Sequence, residues 1–273
     1  MRIISALIFL ILSLAIPAQA GQPVFSEMPR WSGGWGFQIL QEYRTENSLY
    51  DGKQNLGSDL DRSAYLLHVE GVYTWHRSIR LTLKVPVMLD AHRRVLSESG
   101  ETVEHRKSGL GDPTIALPLK KYFNLDGRSG SWTLAPQLRI PGASKASDPI
   151  GIYFREFAPG ISLGYETETY NYIFRTGVST FVFIGETPSL SYFNLVLGLN
   201  FNIGSRNGHL KWNQQLKYWD GVEITYTMGP ILYFRWSDLV HFQLKSTHDV
   251  YEKRIGKVHG KAHTVRLGVG FVY

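Results

Sequence analysis

The sequence predicts an all-β chain that closes into an antiparallel transmembrane β-barrel, about twelve strands in all. Three observations carry this expectation: an export leader opens the chain, apolar and polar residues alternate along segment after segment, and short turns trade places with longer polar stretches. The leader is "MRIISALIFLILSLAIPAQA", with Arg2, an apolar run from Ile3 to Ile16, and Ala18-Gln19-Ala20 as a small-residue cleavage site. Residues 1–20 are therefore expected to be a signal peptide and residues 21–273 one outer-membrane barrel domain. No later stretch is long and apolar enough to span a bilayer as a helix. The chain has no cysteine, which excludes disulfides, thiolate metal sites and a cysteine nucleophile. Its net charge of +6 is mildly basic and spread out, so no nucleic-acid partner is expected.

Taken in order, the first strand is expected at 35–44, with Trp35, Phe37, Ile39 and Tyr43 on one face. The second follows at 65–75 and the third at 79–89, where Ile79, Leu81, Leu83, Val85, Val87 and Leu89 share a face. Further strands are expected at 112–123, 131–140, 157–166, 170–183, 190–203, 209–219, 222–235, 239–249 and 263–273. The connections at "HRS", "NLDGRSG", "TET", "GSRNG" and "WSD" are short or turn-like, whereas 45–62, 91–108, 141–156 and 250–262 are longer and polar. Closure also meets the demand of lipid that every backbone N–H and C=O find a partner within the protein. Aromatics near strand ends, among them Trp35, Trp75, Trp132, Tyr233 and Trp236, suit interfacial girdles. The competing fold is an exported β-sandwich, whose strands alternate in the same way.

The chain ends on "RLGVGFVY", where Val265, Leu267, Val269, Phe271 and Tyr273 share one face to the last residue. This strand resembles the C-terminal strand of outer-membrane barrels. The resemblance implies that Phe271 and Tyr273 belong to an assembly signal read by the barrel-assembly machinery.

With the apolar face outward, the opposite face supplies the lumen. Its basic members include Arg80, Lys84, Lys120, Arg139, Arg175, Lys211, Lys217, Lys245 and Arg266, joined by Arg44, His68 and the acidic Glu42, Glu70, Glu166 and Glu223. More cations than carboxylates would give a positive interior, so an open lumen is expected to favour anions. The alternative is that these charges pair and close a narrow barrel. Gln214 falls outward in this register, which leaves the phase of the ninth strand in question. Pro86, Pro118, Pro136 and Pro159 fall inside four consecutive strands, where proline withholds a ladder donor, and are candidate kinks in the wall. Pro230, after Gly229, is a further candidate bulge.

The segment "SGLGDPTIALPLKKYF" (Ser108–Phe123) leads a Gly-Leu-Gly-Asp stretch into an alternating strand, and "WTLAPQLRIPGAS" (Trp132–Ser144) follows it. Together they resemble the MetA-pathway phenol-degradation family of outer-membrane proteins. The resemblance implies a barrel linked to uptake of small organic, often aromatic, compounds. Within the motif, Gly109 and Gly111 permit a tight loop-to-strand bend, and Asp112 can accept hydrogen bonds from backbone amides. Pro113 departs from the family pattern.

Enzymatic constellations are thin. Ser246 and His248 share a strand face while Asp249 points away, and His68 with Glu70 is the one acid–base pair on a common face. No metal-ligand set or cofactor motif is present in the sequence, so neither is expected. Arg93, Arg94, Arg106 and Lys107 suit contact with anionic outer-membrane lipid and lipopolysaccharide. The sequence thus points to an outer-membrane channel for small organic molecules, aromatic or anionic. A surface hydrolase and a closed structural barrel are the rival readings.

Overall fold

The fold comes from a computed structural model, which describes residues 33–46, 49–51, 54–55, 62–96, 102–125, 128–142, 154–204, 206–254 and 258–273. The expected signal peptide, residues 1–20, lies outside the described residues. The wall strands are β1 (Gly34–Glu46), β2 (Arg62–His76), β3 (Ile79–Leu96), β4, β5 (Arg128–Arg139), β6 (Ala158–Glu168), β7 (Tyr172–Phe181), β8 (Leu190–Ile203), β9 (Arg206–Trp219), β10 (Glu223–Arg235), β11 (Val240–Arg254) and β12 (His263–Val272). The fourth is built in pieces, Thr102–Leu110, Thr114–Ala116 and Leu119–Leu125. Each strand pairs antiparallel with its sequence neighbours, and β1 pairs with β12 from Gly36↔Val272 to Thr45↔His263, which closes the barrel. The twelve-stranded expectation holds, but the connection expected at 91–108 is largely strand, with Ala91–Leu96 paired to Thr102–Lys107. Short segments in the long loops, Leu49–Asp51, Gln54–Asn55 and Val258–Gly260, form a small separate sheet.

The two faces sort as alternation requires. Trp35, Trp75, Trp132, Trp212 and Trp236 are exposed on the outside, together with an apolar band that includes Leu81, Leu83, Leu163, Leu199 and Leu267. Around the turn end, Tyr73 packs between Trp35 (4.6 Å) and Trp75 (5.0 Å), as an interfacial girdle does. Tyr233 does not join that girdle. It is buried on the inner face between His209 and His241, because β10 presents its odd-numbered residues inward. Gln214 is outward, and β9 is in phase: Lys211, Asn213 and Gln215 are all buried inside, while the Gln214 amide oxygen accepts a hydrogen bond from the Tyr226 hydroxyl (2.8 Å). Pro230 makes no bulge, since the β10–β11 register is the same on either side of it. The break lies instead between Tyr226 and Thr227, where Tyr226↔Tyr251 gives way to Thr227↔Asp249 and Val250 is left as the extra residue.

Discontinuity in the wall is concentrated in β4. Thr114–Ala116 and Leu119–Leu125 are separated by Leu117 and buried Pro118, and a second gap at Gly111–Pro113 divides both from Thr102–Leu110. Pro136 and Pro159 sit within continuous registers, opposite Ile161 and Leu138, whereas Pro86 is in register with His68 of β2 but faces the break in β4, where Lys84↔Thr114 gives way to Val87↔Leu110. Every one of these prolines still offers its carbonyl. Gly111 N–H donates to Pro86 (2.8 Å), Leu117 N–H to Pro136 (2.9 Å), Val182 N–H to Pro159 (3.0 Å) and Arg80 N–H to Pro118 (3.3 Å). Each proline therefore withholds one ladder donor while its own carbonyl stays paired.

The glycines of the last strand face inward and are covered from both sides. A Cβ at Gly270 would lie 2.2 Å from the His241 ring, and one at Gly268 would lie 2.2 Å from a Leu40 methyl. Leaning over Gly270, His241 reaches Gln38 of β1 (3.0 Å), two strands away. Gly270→Val is expected to displace His241, break that bond and cost about 1–3 kcal/mol through overpacking. The check is the temperature at which the folded band converts in heat-modifiable gel migration. It should fall for Gly270→Val and recover when His241→Ala is added.

Candidate functional site in the barrel interior

The inner face carries a lattice of paired charges that follows from the alternation and the antiparallel register. In its middle, Glu42 accepts from His68 (2.9 Å) and forms an ion pair with Arg266. Beside it, Lys84 faces Glu70 (3.3 Å). Lys120 of β4 and Arg175 of β7 converge on Glu166 of β6, at 3.4 and 3.1 Å. Lys217 meets Glu223 at 2.7 Å, and Lys211 lies over the Tyr233 ring at 5.7 Å. Arg80 is among the most deeply buried side chains, and Lys245 is half-buried on the same inner face. His68 and Glu70 do not form an acid–base pair with each other, since cross-strand partners take both.

Four further charges belong to this lattice. Arg62 pairs with Glu46, and Arg44 bridges Glu46 (3.0 Å) and Asp249 (3.3 Å), which also accepts from Thr227 (2.6 Å). Glu252 is buried as well. Glu46 and Arg62 lie just beyond the strand ends expected from sequence, because the strands run a turn further into the loops. Glu252 lies past the bulge at Val250, which shifts the inward face from odd to even residues, so strict alternation assigns it outward. Asp249 carried a usable signal, since His241, Gln243 and Lys245 already set odd residues inward on β11.

These additions change the axial distribution of charge. At the loop end, the cations Arg44, Arg62, Arg139 and Lys217 are matched in number by Glu46, Glu223, Asp249 and Glu252, although Arg139 is in no ion pair with them. Through the middle and towards the turn end, Arg80, Lys84, Lys120, Arg175, Lys211, Lys245 and Arg266 outnumber Glu42, Glu70, Glu166 and Glu168. Potential inside low-dielectric walls follows the local imbalance, so the positive region lies below the loop-end rim.

The Gly109–Asp112 motif has a mechanical role. Gly109 adopts φ 149°, a backbone region that disfavours side chains. Asp112, buried in the gap of β4, accepts from the amides of Gly142 (3.0 Å), Phe154 (2.8 Å) and Arg155 (3.0 Å). That clasp draws both ends of the β5–β6 loop to the wall and holds Arg155 at φ 58°. Glu156 then braces the next loop through the amides of Glu186 and Thr187, both at 3.3 Å. Gly142 fits only without a side chain, since a Cβ there would lie 2.6 Å from Pro113. Below this clasp, Gln137 donates to Ser162 (2.9 Å) and Ser179 (2.7 Å) on the inner face.

Hydrolase constellations are not assembled among the described residues. Ser246 is exposed on the outer face, while Asp249 is buried inside with Arg44 and Thr227. His248 stacks on His263 (4.1 Å) at the outer wall instead of meeting a nucleophile.

Asp112→Ala is expected to release the β5–β6 loop while leaving the barrel folded. Each hydrogen bond to an ionised carboxylate contributes about 1.5–3 kcal/mol. Hydrogen exchange at the Gly142, Phe154 and Arg155 amides should accelerate about tenfold or more by the same figure. Unchanged protection at all three would contradict the clasp.

No family model matches the chain, and no curated protein is similar to it in sequence. Among solved structures, it is similar to an outer-membrane channel from Pseudomonas putida F1, with 13% identity and a TM-score of 0.68 over 93% of this chain and 100% of that one. Weaker likenesses are to the KdgM porin (9% identity, TM-score 0.44, 86% of this chain and 99% of that one) and to a mutant of the TodX monoaromatic hydrocarbon channel (10% identity, TM-score 0.42, 95% and 97%). The chain has the fold of an outer-membrane β-barrel.

Proposed function

We propose that this protein is an outer-membrane conduit for small organic molecules, with a lumen that favours anions. The observation that carries the reading is the inward lattice of basic side chains, which outnumber the carboxylates from the middle of the wall to the turn end. A closed structural barrel would gain stability from apolar filling, whereas burying many charges costs desolvation that pairing only partly returns. A polar, charged interior suits a path for polar solute. The fold shared with the Pseudomonas putida outer-membrane channel agrees with this reading. The likeness of Ser108–Phe123 to the MetA-pathway phenol-degradation barrels supports assignment to that family and extends the solute class to aromatic compounds. In the same reading, residues 1–20 direct export and residues 21–273 form the barrel. Phe271 and Tyr273 present the final strand to the barrel-assembly machinery, and basic residues at the rim such as Arg106 and Lys107 contact lipopolysaccharide. The Tyr273 amide already pairs with Trp35 (2.8 Å), so the last residue is part of the seam.

The refolded protein in a planar bilayer with a salt gradient is expected to give discrete current steps with a reversal potential of anion sign. Arg175→Gln and Lys211→Gln are each expected to reduce that preference. A folded barrel that conducts without preference, prefers cations or stays silent would overturn the reading.

A further inference from the structure

We infer that the loop end of the lumen contains a binding site for an aromatic monocarboxylate, with Arg139 receiving the carboxylate and the Phe154 ring standing where the ligand's ring goes. This rests on the conduit reading and specifies its solute. Elsewhere the inner face is mostly polar, but here Ala158, Phe181, Phe183, Leu190 and Tyr192 form a buried apolar cluster against Phe154 and Trp219. Arg139, 4% exposed, ends β5 inside that cluster. Its guanidinium carbon lies 5.2 Å from the Phe154 ring centre, 5.0 Å from Phe181 and 5.9 Å from Phe183, and its charge acts on the Tyr192 hydroxyl.

What this guanidinium lacks among the described residues is an anion. Among the described residues Arg139 forms no ion pair, and its buried Nε has no hydrogen-bond partner. Glu223, whose charge acts on Tyr192, is held by Lys217 (2.7 Å) and Thr225 (2.5 Å). Aromatic faces offset part of the desolvation of a buried cation but leave its N–H groups unsatisfied. A second orphan lies in the same cluster. The indole N–H of Trp219 is buried without a partner, and its ring meets Phe154 edge-on at 5.1 Å.

Both orphans are donors, so the missing group is an acceptor, and the guanidinium charge selects an anionic one. The surrounding rings select its body. A small hydrated anion gains nothing from Phe181 and Phe183, and a neutral phenol leaves the guanidinium unpaired. A flat ring bearing one carboxylate satisfies both. Phe154 packs at 4.6 Å from Phe183 and is half-buried, on the short segment that Asp112 clasps by its backbone. Its side chain can swing away while the clasp holds, which makes it a removable stand-in for ligand.

The test is calorimetric titration of the refolded protein with benzoate, using benzyl alcohol and acetate as controls. Benzoate is expected to bind, with both controls weaker by about tenfold or more, as loss of a charged hydrogen-bonded partner implies. Arg139→Met should weaken benzoate by a similar factor, and Phe154→Ala should strengthen it by vacating the seat. Should Arg139→Met fail to fold, Trp219→Phe keeps the ring, removes only the N–H and is expected to weaken benzoate several-fold, about the effect of one hydrogen bond. Absence of benzoate binding to a folded Phe154→Ala barrel would overturn the inference, as would equal binding by wild type and the two donor-removing variants. Bilayer currents from the same preparations separate the two levels. Anion-preferring currents without benzoate binding sink this inference alone, and benzoate binding to a silent barrel sinks the conduit reading alone.

Discussion

The structure depends on one constraint: a wall that faces lipid must pair its own backbone groups, because lipid has none to lend. Closure of β1 on β12 meets it, and the ladder runs to the final residue, where the Tyr273 amide donates to Trp35. Once the sheet is closed, alternation is no longer a preference. Each strand must send one set of side chains to lipid and the other to the interior. Even the prolines comply, since their carbonyls remain engaged where their amides cannot be.

Closure then decides the interior. Side chains that face inward lie within reach of strands that are not adjacent in the wall, so Arg44 can bridge to Asp249 and Lys120 to Glu166 across an intervening strand. Such ties over an intervening strand let large charged groups be buried with partners. The wall is least regular at β4, and there the chain uses the gap: Asp112 occupies it and draws a loop inward, carrying Phe154 over the lumen. Irregular wall and shaped mouth are one feature viewed from two sides.

Strand existence and order were legible because alternation of period two persists over long segments, as in β1 and β3, and the interruptions are polar. The outer face was legible for the same reason. The exceptions have separate causes. Tyr233 is misassigned by a rule that treats aromatics as interfacial, and Glu252 is missed because 250–262 reads as a loop, whereas the strand runs on to Arg254 past a bulge that leaves no mark in composition. Partners are less legible still. Nothing in the sequence near His68 says that Glu42, 26 residues earlier, takes its ring nitrogen instead of Glu70. The Asp112 motif was legible as a capper of backbone amides, but not which amides, since they belong to the far end of the following loop.

The glycines at the turn end of β12 have a consequence for how the seam forms. Nearer the middle Arg266 pairs with Glu42 of β1, but Gly268 and Gly270 offer a neighbour no inward side chain by which to recognise its position. His241 and Gln38 supply what is missing, because their hydrogen bond passes over β12 and joins the strands on either side of it. A slip of two residues would keep every face correct yet carry the two side chains about 7 Å apart along the strand. With the Arg266–Glu42 pair, the contact therefore ties the seam to one alignment, since both are lost when the first and last strands meet out of register.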